Sequence, residues 1–535
     1  MISAQPRHPH FFALAGALLL ALLGLFAVPA KAQVTAFKQA VAEAAARDEA
    51  LSEFYRTTNY ESLWTGRDDR SRRSAFLRAL SDAADHGLPV NRYDPEMLAA
   101  TFRAARTPRE IGQAEVLASR MFLQYAQDIQ AGVVNPRNVD DGIKRSAPRR
   151  NRLSQLVAFS KSSPRAYLNA LVPDSPEYAR LLQEKLRLER VLGAGGWGDE
   201  VPGRALEPGA SGGTVVSLRN RLIAMGYMKR SASQVYDAAL QKAVQQFQLD
   251  HGLSPDGVAG PATLAEINVS PAKRLGQVIV AMERERWLGP DRGRRHVLVN
   301  ITDFRASLVE NGKTVFATRA VVGKNQHDQR TPEFSDVMEH MIINPTWNVP
   351  RSIATKEYLP MLQRNPNAAS YLRLVDARGR TVSRNSVDFT QYSARTFPFD
   401  MKQPPSSRNA LGLVKFMFPN QYNIYLHDTP QKHLFSRETR AFSHGCVRLN
   451  DPFDFAYELL KVQTSDPVGF FQSRLATGRE TMVELEKPLP VHIVYRTAVT
   501  QPKGRTQFRR DIYGRDARIF QALDEAGVVL RAVRG

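Results

Sequence analysis

The hydrophobic pattern of the chain changes character once, near Gly289-Pro290. On the N-terminal side, apolar residues recur at intervals of three and four, which is typical of amphipathic helices. One example is the run Ala114, Leu117, Ala118, Met121 and Tyr125. On the C-terminal side, Val297, Val299 and Ile301 alternate with polar residues, as in a half-buried strand. The sequence therefore predicts a multidomain α+β chain, helical first and mostly β afterwards.

The helical part divides at a linker. Residues 33–205 are predicted to form a helical domain, which ends in the Pro- and Gly-rich run Pro202–Gly213. A compact three-helix domain is predicted at 208–270, followed by a connecting helix at 271–295. In the domain at 208–270, the first helix is indicated by the apolar stripe Val215, Leu218 and Leu222. The second is indicated by the capping residue Asp237, and the third by Pro261, which suits the first position of a helix.

The β part is predicted at 296–500, with an insertion of mixed helical and polar character at 351–405. Asn311-Gly312 between two apolar runs predicts a β-hairpin. Ile424–Leu426 is predicted to be a strand that delivers His427.

The end of the β part carries two more predicted elements. A helix is expected from about Pro452 to Leu460, and a strand at Val491–Tyr495 is expected to close the sheet. Residues 501–535 form a C-terminal extension to which the sequence assigns no chemistry.

The first 32 residues have the pattern of a secretion signal. Arg7 precedes an apolar run from Phe11 to Val28, and Ala30-Lys31-Ala32 fits a cleavage site. The apolar run has eighteen residues, so an uncleaved membrane anchor remains an alternative. The rest of the chain is expected to be exported.

The exported part would be strongly basic. The 73 Lys and Arg against 53 Asp and Glu give a net charge of +20, or +18 once Arg7 and Lys31 are removed. Because the basic residues are scattered and the chain is expected to be exported, we interpret this charge as attraction to anionic envelope polymers rather than to nucleic acid. A simple role in solubility remains open.

The stretch from Tyr425 to Leu449 holds the only cysteine, Cys446. It follows His444 by two residues and His427 by nineteen. A thiolate is a strong nucleophile, and a nearby imidazole can take the proton of the thiol. Gly445 permits a tight bend that exposes backbone N–H groups for an oxyanion hole. A single unpaired thiol in an exported protein is more easily explained by reactivity than by packing.

Neighbouring residues extend this candidate site. Asp428 could orient the ring of His427 through its carbonyl or its side chain. Arg448 could bind a substrate carboxylate or pair with Asp451 or another acid, and the sequence does not decide between these.

A zinc site is the competing interpretation of this stretch. Its ligands would be His427, His433, His444 and Cys446, which lack the tight ligand pairs usual for zinc. We therefore expect no metal and no cofactor, and interpret His433 as a solvated loop residue.

The stretch resembles the YkuD-type L,D-transpeptidases, which carry a His, about fifteen residues, then Ser/Thr-His-Gly-Cys. Here residues 428–442 separate His427 from Ser443-His444-Gly445-Cys446. The resemblance implies Cys446 as the acyl-enzyme nucleophile and His427 as its base. It further implies Ser443 and His444 as supports of the loop and the oxyanion site.

Other segments resemble further domains of the large Gram-negative members of this family. Phe54–Trp64 is similar to their scaffold domain, although its aromatic residues are interpreted as core. Val244–Gln248 and Asp256–Leu264 resemble the three-helix peptidoglycan-binding domain, for which a spacer without affinity is the alternative. The insertion at 351–405 resembles their capping subdomain.

Residues that flank the insertion also resemble this subfamily. On this basis Tyr425, Trp347 and Asn409 are candidate substrate-binding residues, with a structural role at the cap hinge as the alternative for Trp347. One departure is Ser406, where the subfamily is expected to have glycine. Because Ser tolerates positive φ poorly, the cleft entrance is expected to differ there.

The resemblance implies a periplasmic enzyme that forms 3→3 cross-links between peptidoglycan stem peptides through a cysteine thioester. Its partners would be a tetrapeptide donor, a diaminopimelate acceptor and other wall-synthesis enzymes, and carbapenems would acylate it. The alternatives are an L,D-carboxypeptidase, an enzyme that attaches proteins to the wall or detaches them, and, from a different class, a non-catalytic wall-binding scaffold.

Overall fold

The computed structural model describes residues 35–533, so the predicted signal at 1–32 lies outside the described residues. These residues divide into two compact units. The first comprises the described residues up to Arg78, Pro95–Leu123 and Asn151–Arg165, and the second comprises Ala79–Asp94, Gln124–Arg150 and everything from Ala166. Within 35–533, no helix is long and apolar enough to cross a membrane.

The helical character predicted for the N-terminal region is confirmed. Its helices are α1 Ala36–Ala45, α2 Glu49–Thr57, α3 Arg70–Ser81, α4 Pro95–Ala104, α5 Pro108–Ala131, α6 Pro136–Val139, α7 Arg152–Ser160, α8 Pro164–Asn169 and α9 Pro176–Gly193. In the first unit, Tyr55 and Trp64 are fully buried. The buried Glu115 carboxylate accepts hydrogen bonds from the backbone N–H of Leu63 and Trp64. The aromatic segment is therefore core, as predicted.

The three-helix domain consists of α10 Gly213–Ala224, α11 Ala238–Asp250 and α12 Pro261–Ile267. Val215, Leu218 and Leu222 are buried in its core. The Asp237 carboxylate accepts a hydrogen bond from Leu240 N at 2.9 Å and so caps α11. Pro261 occupies the start of α12, where its missing N–H costs nothing. The predicted helix N-cap at Asp237, the apolar stripe and the proline at the start of a helix are all confirmed.

The connecting helix α13 spans Pro271–Leu288 and is buried along most of its length. Arg284 on this helix forms ion pairs with Glu333 and Asp516. Arg515 in turn pairs with Glu333 and Asp140. The C-terminal extension, which includes α18 Arg515–Glu525, is thus locked to α13 and to the β domain through buried charges.

The β domain is built on a sheet of nine strands. They are β1 Arg295–Asn300, β2 Arg305–Glu310, β3 Lys313–Gly323, β4 Phe334–Ile343, β9 Val414–Met417, β10 Leu426–His427, β11 Ala441–Ser443, β12 Val447–Leu449 and β13 Thr481–Val494. Asn311 and Gly312 both have positive φ in the β2–β3 turn, which confirms the predicted hairpin. The helix at 452–460 is also confirmed, as α16 Pro452–Leu460, and α17 Pro467–Leu475 follows it.

The strands form a closed circuit. The strand order is β11-β3-β12-β10-β9-β4-β13-β1-β2, and β2 also pairs with β3. Residues 491–494 pair with β1 on one side and with β4 on the other, so the predicted strand is one of the links that close the circuit. It is longer than predicted, because β13 begins at Thr481, ten residues earlier. The strand before His427 is shorter than predicted, since β10 begins at Leu426.

The insertion forms a small domain with its own core. It contains α14 Arg351–Ile353, a π-helical turn at Ala354–Tyr358, α15 Leu359–Arg364, β6 Arg373–Val375, β7 Thr381–Val382 and β8 Asp400–Gln403. Together with β5 Trp347–Asn348 these strands form a four-stranded sheet in the order β5-β8-β6-β7. The sequence predicted no strands here, because each one is only two to four residues long. We call residues 347–403 the cap. After β13, β14 Ala498–Val499 pairs with β15 Gln507–Phe508.

Candidate active site

Three adjacent strands present one row of polar side chains opposite the core. Lys415 on β9 pairs in register with His427 on β10, which pairs with Arg448 on β12. One residue earlier along β10, Leu426 pairs with Phe416 and Val447, all in the buried core. Because side chains alternate across a sheet, Tyr425 and Cys446 share the polar face with His427 and Arg448. The sheet register thus brings the predicted nucleophile and base to one face.

The loop before Cys446 is held by internal hydrogen bonds. The Ser443 hydroxyl donates to the Cys446 carbonyl at 2.5 Å and accepts from Gly445 N at 3.1 Å. Gly445 has φ +115°, and a Cβ there would lie 3.1 Å from Ile424 Cδ1, so only glycine fits without strain. Gly445 N is therefore occupied, while the Cys446 N–H has no acceptor among the described residues. Cys446 N–H is the loop donor that remains free for an oxyanion.

The Cys446 thiol lies half-buried on the floor of a cleft. Its Sγ donates to the Asn423 carbonyl at 3.4 Å, and Asn423 itself has φ +54°. Burial raises the pKa of Cys446 to about 11, although contacts from Tyr425 and the charge of Arg448 act in the opposite direction. The thiol is therefore neutral near pH 7 and requires a base when it attacks.

His427 has the state expected of such a base. Its side chain is buried, and burial followed by the charge of Arg448 lowers the pKa of His427 to about 3. Nδ1 donates to the Asp428 carbonyl at 2.5 Å, which leaves Nε2 as the proton acceptor. In the described residues no hydrogen bond joins the Cys446 thiol to this ring, and both groups line the same cleft.

Asp428 supports the site through two different groups. Of the two possibilities left open by the sequence, its carbonyl and not its carboxylate contacts the ring of His427. The carboxylate accepts from Leu413 N at 2.9 Å and pairs with Lys432 at 2.8 Å. Gly412, with φ +62°, allows this approach, since a Cβ there would lie 2.3 Å from the Asp428 carboxyl carbon. The carboxylate therefore fixes the strand that carries Lys415.

The cleft has a volume of about 940 Å³ and is bordered by both the β domain and the cap. Lys415 and Arg448 line it next to Cys446. Arg448 donates to Gln431 Oε1 at 2.7 Å, while its buried Nε has no acceptor among the described residues. It is not paired with Asp451, whose carboxylate instead accepts from Thr318 at 2.8 Å. This basic floor suits a substrate that carries carboxylates.

His444 connects the cap to the loop at 443–446, which carries the predicted nucleophile and which we call the nucleophile loop. Its Nε2 lies 2.5 Å from Oε1 of Glu357, which the π-helical turn of the cap presents. An ion pair joins Lys356 of the same turn to Asp328 at 2.7 Å. His444 thus holds the cap over Cys446, a contact not predicted from the sequence.

A second line of contacts supports the loop from the C-terminal extension. The Thr331 hydroxyl donates to the Gly445 carbonyl at 2.7 Å and accepts from Gly323 N at 2.9 Å. Arg515 donates to the Thr331 carbonyl at 3.1 Å, and Tyr513 donates to the Gly323 carbonyl at 2.5 Å. The extension, which the sequence left without chemistry, therefore positions the nucleophile loop.

Two sequence predictions change in the structure. Asn409 is fully buried, and its amide donates to the carbonyls of Pro345, Gln403 and Pro404. It presents no atom to the cleft, so its predicted substrate contact is wrong. Ser406 is not among the described residues with positive φ, so the strain expected there is absent.

The two aromatic candidates differ in position. Trp347 lies in the cap core and is 8% exposed, although it also borders the cleft. Its main role is therefore structural, at the hinge of the cap. Tyr425 lines the cleft with its ring 5.6 Å from that of His427. His433 is exposed, as predicted.

Two site residues were missed by sequence reasoning. Lys415 alternates with Val414 and Phe416, so strand periodicity would have placed it on the polar face of its strand, and the pairing of β9 with β10 places it beside His427. Glu357 carried no such signal, because its position depends on the fold of the cap. In residues 35–533, no three His, Cys, Asp or Glu side chains come together as a metal site.

Comparison with known protein families matches three segments of the chain. Residues 294–469 match the "L,D-transpeptidase catalytic domain", 49–184 match the "Scaffold domain", and 211–267 match the "Putative peptidoglycan binding domain". A curated "Putative L,D-transpeptidase" of Haemophilus influenzae is 31% identical over 229 residues. That alignment covers 42% of this chain and 45% of the relative, so it spans less than half of the relative's length.

Solved structures add little at this distance. The L,D-transpeptidase of Xylanimonas cellulosilytica is 16% identical, with 55% of this chain and 100% of that chain covered and a TM-score of 0.18. The L,D-transpeptidase of Stackebrandtia nassauensis is also 16% identical, with 56% of this chain and 97% of that chain covered and a TM-score of 0.21. TM-scores this low do not establish a common fold. The family matches show that the chain contains an L,D-transpeptidase catalytic domain, with a scaffold domain and a peptidoglycan-binding domain ahead of it.

Proposed function

We propose that this protein forms 3→3 cross-links between peptidoglycan stem peptides through a thioester on Cys446. The observation that carries the proposal is the row of side chains on the cleft floor, where a neutral thiol shares one face with a neutral imidazole and two cations. A non-catalytic wall-binding scaffold would need neither the thiol nor the imidazole. The polymer is suggested by the match of residues 211–267 to a peptidoglycan-binding domain.

The first half-reaction would acylate the thiol. Nε2 of His427 takes the proton as Cys446 Sγ attacks the carbonyl of the third stem residue, and the new oxyanion is met by the free Cys446 N–H. The carbon–nitrogen bond to the terminal D-Ala then breaks, and the imidazolium returns the proton to the leaving amine. Arg448, with its unpaired Nε–H, would hold a carboxylate of the donor stem.

The second half-reaction would pass the acyl group to an amine of a second stem. The amine attacks the thioester, the carbon–sulfur bond breaks, and His427 carries the proton from the amine to the departing sulfur. The cap limits water at the thioester and leaves room for the acceptor strand. This cover favours transfer over the L,D-carboxypeptidase alternative, in which water attacks the thioester.

Other parts of the proposal rest on the sequence. The leader pattern at 1–32 supports a periplasmic location, with an inner-membrane anchor as the alternative. The same thiol would be acylated by carbapenems, would require no cofactor, and could also act on a protein amine attached to the wall.

The test is intact mass and product analysis with disaccharide-tetrapeptides that contain diaminopimelate. We expect the wild type to give a cross-linked dimer that lacks one D-Ala, and Cys446→Ala to give none. Tripeptide without dimer would favour the carboxypeptidase. If the wild type forms no acyl adduct with substrate or carbapenem and yet sediments with cell-wall sacculi, the catalytic proposal is wrong and the protein is a wall-binding scaffold.

A further inference from the structure

A second cavity lies at the junction of helix α9, the three-helix domain and the segment that follows β14. Its volume is about 730 Å³, and none of its lining residues lines the catalytic cleft. The three-helix domain contributes Tyr227 and Phe247, and the C-terminal segment contributes Arg505 and Phe508. We call this space the junction cavity.

Two of the arginines that line the junction cavity make no ion pair with a carboxylate of the described chain. Five arginines line it, and three of them have acidic partners, in the pairs Arg180–Glu177, Arg187–Glu184 and Arg274–Glu266. Arg190 and Arg505 make no ion pair in the described chain, and each donates only to a backbone carbonyl, of Leu186 and Gly226 respectively. Two guanidinium groups are therefore available to an anion.

A buried donor in the same cavity also lacks a partner. Trp197 is 7% exposed, and its indole Nε1–H has no acceptor among the described residues. Trp197 lines the junction cavity. A buried N–H without an acceptor costs free energy. The nitrogen is closed to solvent, so an acceptor in the cavity would reach it only after a small shift of the lining, and the ring serves here chiefly as a reporter of the cavity.

The walls also offer ring faces beside the charges. The Arg505 guanidinium lies 4.5 Å from the ring centroid of Tyr227, and that of Arg274 lies 4.8 Å from the ring centroid of Phe508. Such stacking fixes the guanidinium planes and leaves apolar surface next to them. The cavity therefore fits an anion attached to an apolar or ring-bearing group, rather than a small free ion.

We propose that the junction cavity is a second, non-catalytic binding site for the carboxylate end of a peptidoglycan stem peptide. The occupant follows from the position of the cavity, since one wall belongs to residues 211–267, which match a peptidoglycan-binding domain. The proposal rests on the proposed function for the nature of the polymer. Its role would be to hold one strand while another occupies the cleft.

The four tryptophans provide a test that separates the two sites. Trp197 lines the junction cavity, Trp347 lines the cleft, and Trp64 and Trp287 line neither. ¹⁵N indole spectra of the full exported chain with Cys446→Ala would be recorded during titration with a disaccharide-tetrapeptide. Trp197→Phe and Trp347→Phe assign the two reporter signals. We expect a saturable shift of the Trp197 signal.

Substitution of the two arginines without ion pairs tests whether they bind the ligand. Arg190→Gln combined with Arg505→Gln should weaken the Trp197 titration by about tenfold or more, because two charge-assisted hydrogen bonds are lost. The Trp347 titration should stay unchanged, and the Trp64 and Trp287 signals report that the variant is folded. Arg230→Gln, an exposed arginine of the same domain, is the matched control and should change neither titration.

Three results would overturn the inference. They are a Trp197 signal that does not move while that of Trp347 does, a shift that survives the double substitution, and an equal shift with inorganic phosphate at the same ionic strength. Failure of the proposed function would look different, because the wild type would then form no acyl adduct whether or not the Trp197 signal moves.

Discussion

Two buried polar clusters border the nucleophile loop, and they differ in how completely their atoms are paired. The rear cluster contains Arg284, Arg515, Glu333, Asp516 and Asp140, and each of its charges has at least one ionic partner. The cleft cluster contains Tyr425, His427, Cys446, Arg448 and Lys415, and it is less completely paired: the thiol makes a long contact of 3.4 Å to the Asn423 carbonyl, and the Arg448 Nε–H has no acceptor among the described residues.

The difference separates two uses of buried polarity. A fully paired cluster fixes the position of the chain, because removing any member leaves another charge unpaired. A partly paired cluster has groups that can still bind or react, at the cost of some stability. The predictions below change members of each cluster in turn.

The largest expected effect follows from removing the base. His427→Gln should slow acylation of Cys446 by a carbapenem by about 10²–10⁴-fold, the usual contribution of a general base. The rate of adduct formation by mass spectrometry is the measurement. His433→Gln, the same substitution at an exposed histidine that does not line the cleft, is the control and should stay within about threefold of wild type, as expected of a surface residue.

The same two proteins should differ in how the rate of acylation depends on pH. With the His427 pKa lowered to about 3 and the Cys446 pKa raised to about 11, the reactive neutral pair persists between those values. Acylation by the wild type should therefore be flat from about pH 5 to 9. In His427→Gln only preformed thiolate reacts, so the rate should rise about tenfold per pH unit. A wild-type profile that falls below pH 6.5 would show that His427 titrates normally and is not buried as described.

The rear cluster is tested next, through stability. Arg515→Met should lower the free energy of unfolding by about 3–5 kcal/mol, because the buried Asp140 loses an ionic partner and Glu333 keeps only Arg284. Urea denaturation is the measurement, with exposed Arg230→Met as the control. A loss below about 1 kcal/mol, the range of surface pairs, would mean that water screens this cluster.

The link between the clusters should give a smaller effect. Thr331→Val leaves the Gly445 carbonyl and Gly323 N–H without the hydroxyl that joins them, which costs about 1–3 kcal/mol of unfolding free energy. Thr331→Ser keeps the hydroxyl and should recover most of this. If both variants acylate and unfold like the wild type, the C-terminal extension does not position the loop.

The smallest effect is expected at the cap. Glu357→Gln keeps a hydrogen bond to His444 but replaces the carboxylate by a neutral amide, and a half-exposed contact of this kind is worth up to about 1 kcal/mol. We expect a few-fold rise in the ratio of hydrolysis to transfer in product analysis. Asp376→Asn, in an ion pair within the cap, is the control and should leave that ratio unchanged.

The parts that sequence reasoning predicted correctly are those with local signals. The hairpin at Asn311-Gly312, the N-cap of α11 at Asp237 and the proline that begins α12, Pro261, each depend on a few adjacent residues. Cys446 and His427 were found through a motif, and the strand register then brought them to one face. The alternation around Lys415 was equally local and was not used.

The remaining features depend on residues far apart in the chain. The first half of β13 has charged and proline residues, and its pairing with β4 shifts register between Glu484 and Leu489, so no clean alternation marks it. The acidic partners of Arg515 lie 182 and 375 residues away in the chain. The hydrogen bond from the Asn409 amide to the Pro345 carbonyl forms only when the cap is folded. No pattern within a short window reports such contacts.

The closed strand circuit has a consequence for how long polymers are handled. In the circuit β3-β12-β10-β9-β4-β13-β1-β2 every strand has a paired neighbour on each side, and β11, which pairs with β3 alone, ends the strand order. An extended peptide therefore finds few open backbone groups on these strands, and its grip in the cleft depends mainly on side chains. The same closure leaves little strand edge through which two such domains could pair with each other.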